Sequence, residues 1–163
     1  MESGDNSGDN KFIGLEFIVV LTDYRKAAIF SLISVPSTHV VFYQEKEGDA
    51  PVVEWLRELN ATNSRAYDKC RAAIARLALL GHELRRPEAD YLRDGIYELR
   101  VRLGSVNFRL LYFFHGRTAS VIAHGLTKKT AVPATDIKRA ISRKSAFTAN
   151  PTVHTFKGEI YDA

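Results

Sequence analysis

Between residues 91 and 130 the chain reads YLRDGIYELRVRLGSVNFRLLYFFHGRTASVIAHGLTKKT, three strand-like runs in which arginines alternate with large apolar residues. A two-residue period sends neighbouring side chains to opposite faces of a sheet. Ile96, Glu98, Arg100 and Arg102 therefore share one side, and Tyr97, Leu99, Val101 and Leu103 share the other. One face must be packed while the other presents guanidinium groups, an arrangement suited to phosphates.

Strands are expected at Ile96–Leu103, Val106–His115 and 118–126, separated by the hairpin signals Gly104-Ser105 and Gly116-Arg117. VNFRLLYFFH is nearly continuously apolar, as a central strand covered on both faces would be. Upstream, HVVFYQEK at 39–46 has the β-branched and aromatic content of a further strand.

Two helices follow it. Asp49 is the expected N-cap and Pro51 the first-turn residue of a helix whose Val52, Trp55, Leu56 and Leu59 recur on one stripe. The turn at 60–63 leads to a second helix over 64–80, with Tyr67, Cys70, Ile74 and Leu77 on one face and Gly81 as its stop. Neither stripe can be buried by its own helix, so the αα-hairpin must lie on the sheet. A last helix over 134–146 turns Ile137, Ala140 and Ile141 inward and Lys138, Arg139, Arg143 and Lys144 outward. The expected class is α+β, an antiparallel sheet packed against an N-terminal αα-hairpin with a C-terminal helix, in the order β-α-α-β-β-β-α.

The 163 residues, 45% hydrophobic, suit one domain with terminal extensions. Residues 39–147 form that domain. Residues 1–38 are an N-terminal extension, disordered over MESGDNSGDN and of strand or short-helix character over 12–36, and 148–163 are an aperiodic tail, mobile or partner-bound. No run is long and apolar enough for a membrane span. The single Cys70 excludes an intrachain disulfide and is expected in the core, in keeping with a reducing cytoplasmic setting.

Charge is unevenly distributed: residues 1–37 carry three Lys/Arg against five Asp/Glu, whereas 85–144 carry thirteen against five, a net +8. Such a skew implies an acidic partner, nucleic acid being the commonest, with a solvated face or an acidic protein as alternatives. No Gly-rich phosphate loop, zinc-ligand spacing, serine elbow or acidic metal cluster is found, which removes most nucleotide- and metal-dependent enzymes. No cofactor or metal is expected.

What remains is a set of cations. Cleaving a phosphodiester without a metal takes a base for the ribose 2′-hydroxyl, cations for the charge developing at phosphorus, and a proton donor for the leaving 5′-oxygen. Arg100 and Arg109 on strands and the pair Lys128-Lys129 are the cations that can meet the second need. Tyr112 and His124 are candidate donors, though Tyr112 also reads as a core residue and His124 as a structural hydrogen-bonding one. Arg102 is either a phosphate contact or a solvated residue. Arg109, in an apolar strand, must be paired or functional, and Glu98 is the natural partner of Arg100 or Arg109. Lys138, Arg139 and Arg143 are solvated or touch RNA phosphates.

The order of DGIYELRVRLG, FRLLYFFHG, IAHGLTKKT and DIKRAISRK after an αα-hairpin resembles the RelE/ParE superfamily, closest to its HigB-like, phage-derived branch, over about residues 39–147. The resemblance implies a type II toxin that cleaves messenger RNA, usually on the ribosome, without a metal and with a cyclic 2′,3′-phosphate product. It also implies a cognate helix-turn-helix antitoxin. The family's ELR segment falls on Glu98-Leu99-Arg100, its strand arginine on Arg109, its lysine pair on Lys128-Lys129 and its aromatic run on Tyr112-Phe113. The chain departs from the pattern at Thr130-Ala131-Val132-Pro133, where many relatives carry a further Lys-Thr. A ParE-like inhibitor of gyrase, which shares the fold, and a non-catalytic binding module are the alternative functions.

Overall fold

The computed structural model describes residues 38–128 and 131–158. The expectations for 1–37, for Lys129 and Thr130, and for 159–163 lie outside these. The elements run β1 (His39–Phe42), α1 (Pro51–Thr62), α2 (Ser64–Leu80), a 3-10 turn (Gly81–Glu83), β2 (Ala89–Arg93), β3 (Ile96–Leu103), β4 (Val106–His115), β5 (Ala119–Lys128) and α3 (Ala134–Ala149). The five strands form one sheet in the order β1-β5-β4-β3-β2. The α+β class stands, with two differences from expectation.

First, the stretch read as a polar connection contains β2. Its five residues pair antiparallel with β3 through the two-residue turn Asp94-Gly95, both at positive φ as a hairpin of the right twist requires. β2 is short, charged and broken by a register shift after Tyr91, features that blunt an edge strand and also mask its periodicity. Second, the sheet is mixed. β1 does not return by a hairpin; the chain crosses the α1–α2 hairpin first, and β1 then pairs parallel with the last strand, β5.

α1 and α2 cover one face of the sheet. Val52, Leu56 and Leu59 of α1 and Tyr67, Cys70, Ile74 and Leu77 of α2 pack on Leu99, Val101, Phe108, Leu110, Tyr112 and Ile122. The N-cap of α1 is Ala50 rather than Asp49, and no side chain caps that end, where Pro51 already lacks an amide hydrogen. Asn63 serves both helices: its amide donates to Leu59 O and its side chain accepts from Ala66 N at 3.1 Å. Cys70 is buried and burial pushes its thiol up to about 12, so it is an inert core residue.

Trp55 lies where β5 has no side chain. A Cβ placed on Gly125 would sit 2.6 Å from Trp55 Cε3 and 2.8 Å from Cδ2. Gly125→Ala is therefore expected to destabilise the fold by about 1–3 kcal/mol through overpacking. A thermal midpoint unchanged from wild type would contradict this packing.

α3 covers the opposite face, where Ala140 and Phe147 join Ile96, Leu111, Phe113, Val121, Ala123 and Leu126. The tail continues past α3 along the outer edge of β1: Gln44 N donates to His154 O at 2.9 Å and Phe156 N to Phe42 O at 3.0 Å. His154 stacks on Tyr43 at 5.2 Å. The tail, expected to be mobile or partner-bound, is instead held against this chain as far as Phe156, because it satisfies the open backbone edge of β1.

Candidate nucleic-acid interface

Strand pairing brings the cations of the sheet into rows. Residues opposite one another on neighbouring strands point to the same face, so Arg102, Asn107 and Lys128 form one row, Arg100, Arg109 and Leu126 the next, and Asp90, Glu98, Leu111 and His124 a third. All lie on the α3 side. α3 covers that face as far as Leu126 of the second row, and the outermost row lies open, with Arg102 and Lys128 exposed.

Arg100 and Arg109 are directly opposite. The Arg100 amide donates outward to Glu88 O at 2.7 Å, so Arg100 and Arg109 form a pair with no ladder bonds between them and about 4.5 Å between Cα atoms. Two like charges at this spacing repel. Glu98, only 4% exposed, sits beside both: its Oε1 accepts from Arg100 Nε at 2.7 Å, and its Oε2 is 3.0 Å from Arg109 Nε. Arg100 Nη2 also reaches Asp90 Oδ2 at 2.8 Å, and Arg86 holds the same oxygen at 2.6 Å. The hydrogen bond from Arg86, with the Arg100 charge behind it, holds the Asp90 carboxyl below its ordinary value.

The two arginines are thus unequal. Arg100 is engaged by two carboxylates. Arg109 is an ion-pair partner of Glu98, but that contact is not aligned as a hydrogen bond, and its buried Nε has no acceptor. A part-buried guanidinium with a donor to spare is the group best prepared to bind an incoming anion.

His124 belongs to the scaffold of α3. Its Nδ1 faces Arg143 Nη1 at 3.3 Å and must accept, so Nε2 donates to Asp136 Oδ1 at 2.9 Å. Both ring nitrogens are occupied, which leaves none for a substrate. Burial lowers its pKa from 6.5 against the opposing pull of Asp136, and the Arg143 charge adds to the lowering. A base whose folded pKa is depressed binds fewer protons folded than unfolded. Its contribution is complete above about pH 6.5 and is lost as pH falls below that toward the lowered folded value. Stability is expected to drop over that interval and His124→Gln to flatten the drop; denaturant midpoints that fall equally in both proteins would contradict it.

Three further sequence-based candidates are relocated. Tyr112 points to the α1–α2 side, is 1% exposed, and burial raises its phenol well above the ordinary range, so it cannot serve the cationic face. Arg143 is not outward: it pairs with Glu45 Oε1 at 2.9 Å, donates to Ala123 O at 2.8 Å and lies over the Tyr43 ring. Lys144, also expected outward, donates to Asp94 O at 2.8 Å. Helical periodicity places both on the flank of the stripe, where long side chains reach back to the sheet. Lys138 is exposed, and Arg139, half-exposed, pairs with Asp136.

Sequence reasoning missed Asp90, Arg86 and Asn107. Asn107 was legible from parity, two residues before Arg109 on the same strand; Asp90 and Arg86 required the register of a strand that was not recognised. Among the described residues no group of three or more His, Cys, Asp or Glu is placed to hold a metal ion, and no helix is long and apolar enough to cross a membrane.

The family described as "Phage derived protein Gp49-like (DUF891)" matches residues 54–145, more than half of the chain. The match spans the αα-hairpin, both cation-bearing rows and most of α3. No curated protein matches the sequence.

Proposed function

The chain belongs to the Gp49-like phage-derived family, within the RelE/HigB-type toxin superfamily, and on that premise we propose that it is a HigB-like toxin that cleaves messenger RNA. The observation that carries this reading is the pair of cation-bearing rows, Arg100 with Arg109 and Arg102 with Lys128, set on a rigid sheet around a buried carboxylate. Rigid donors fixed before substrate arrives stabilise charge as it develops without reorganising.

In this proposal the scissile phosphate sits against Arg109, which its ion pair with Glu98 holds in place, with Arg100 beside it. The 2′-oxygen attacks phosphorus, the bond from phosphorus to the 5′-oxygen breaks with its electron pair going to that oxygen, and a cyclic 2′,3′-phosphate results. The proton of the 2′-hydroxyl goes to a base and the 5′-oxygen takes one up. Lys128, or Lys129 beyond it, assists that transfer or stabilises the phosphorane charge. Arg102 holds a neighbouring phosphate, and Lys138 and Arg139 supply outer contacts. In the same proposal the chain acts in the cytoplasm, on messenger RNA being translated, with a helix-turn-helix antitoxin as the cognate partner.

Inducing the chain in bacteria tests this. Growth arrest with new transcript 5′ ends is the expected result. Arrest with intact messenger RNA and DNA-damage signalling would instead identify a gyrase inhibitor, and an inert chain that still binds an antitoxin would identify a non-catalytic binding module.

A further inference from the structure

β2 ends its pairing with β3 at Ala89 opposite Leu99, so β3 continues from Val101 to Leu103 with no strand on its outer side among the described residues. Alternation fixes which backbone groups are open there. The Arg100 amide points outward to Glu88 O, so the Arg102 N–H and C=O, two residues on, also point outward. Beside this open edge runs α2, and between them lies a shallow groove of about 230 Å³, lined by Lys69, Ala72, Ala73, Arg76, Glu88 and residues 100–102.

The groove is basic and has no apolar anchor. Lys69 and Arg76 of α2 line it, with Arg100 and Arg102 at the edge of β3, against the single carboxylate of Glu88, which accepts from Arg76 Nη2 at 2.8 Å. Ala72, Ala73 and Val101 give it a shallow floor without the aromatic or large aliphatic pocket that a docked protein segment uses. Arg100 and Arg102 belong both to this groove and to the cation-bearing rows of the sheet face.

We propose that the groove is a second subsite for single-stranded RNA, in which Lys69 and the outward Arg102 amide hold the backbone of nucleotides flanking the bond that is cut. The strand then passes from the sheet face around the open edge of β3 onto α2. This deepens the ribonuclease reading and rests on it. Arg76 contributes by exchanging its exposed ion pair with Glu88 for a phosphate, a weak pair that costs little to open.

The test uses the full chain and 2′-O-methyl RNAs, which lack the attacking hydroxyl, of about three and about nine nucleotides, one below and one within the usual span of a single-strand groove. Affinity is read by fluorescence anisotropy across a salt series. Lys69→Ala is expected to weaken the longer RNA about tenfold and to make its salt dependence shallower by about 0.7 in slope, one phosphate contact. Arg109→Ala should weaken both lengths. If Lys69→Ala and Lys69→Glu leave the longer RNA unchanged while Arg109→Ala weakens both, the subsite is wrong and the ribonuclease reading survives. If wild type binds neither RNA, that reading fails with it. If a polyglutamate peptide binds and Lys69→Glu abolishes that binding while RNA binding is unchanged, the groove is a protein-docking surface and the proposal is overturned.

Discussion

Arg109→Ala is expected to lower RNA cleavage by about two to three orders of magnitude, the usual loss when one preorganised donor to a developing oxyanion is removed. Arg109 is singled out because its buried Nε has no acceptor, whereas Arg100 is held by Glu98 and Asp90. Removing Arg109 leaves Glu98 with its two contacts to Arg100, so the fold is expected to survive. Arg109→Lys keeps the charge but loses the planar fork, and should restore only part of the rate. Toxicity on induction, followed with fragment yield and a melting curve, checks this. A folded Arg109→Ala protein that remains fully toxic would remove Arg109 from the reaction.

Glu98→Ala is expected to be the most damaging single change to stability at the site, costing about 3–5 kcal/mol, because it leaves two guanidiniums opposite each other with their shared buried carboxylate gone. Asp90→Ala, which removes a partner on the edge strand, should cost far less. The double variant Glu98→Ala with Arg109→Ala should recover part of the loss, since it also removes one of the repelling charges. Urea denaturation of wild type, Glu98→Ala, Arg109→Ala and the double variant measures the coupling. A Glu98→Ala protein as stable as wild type would show that the carboxylate does not hold the two arginines together.

The cationic face was legible in the sequence because a two-residue period on β3 and β4 fixes which side Arg100, Arg102 and Arg109 take. The αα-hairpin was equally plain, since Val52, Leu56 and Leu59, then Tyr67, Cys70, Ile74 and Leu77, leave a single stripe on each helix. What periodicity cannot give is the lateral register. The ion pair between Arg100 and Asp90 depends on β2, whose five residues are too few and too charged to show alternation. Tyr112 went to the packed face because it shares parity with Leu110 and Phe108, a conclusion the same alternation already contained. Arg143 was misjudged for another reason, and His124, though its structural reading held, gave no sign of which partner it would take. Their partners, Glu45 and Asp136, come from segments whose approach depends on how α3 docks, and the bulge in β5 after Ile122 resets the parity that would have placed His124.

The chemistry of the fragment ends tests the central claim most directly. Transcripts from cells induced for wild type and for Arg109→Ala would be mapped at nucleotide resolution and their ends typed as cyclic phosphate, 3′-hydroxyl or 5′-phosphate. The account predicts new sites bearing a 2′,3′-cyclic phosphate and a 5′-hydroxyl in the wild type, and their loss with Arg109→Ala. New ends bearing a 3′-hydroxyl and a 5′-phosphate, or growth arrest with no new ends at all, would contradict it.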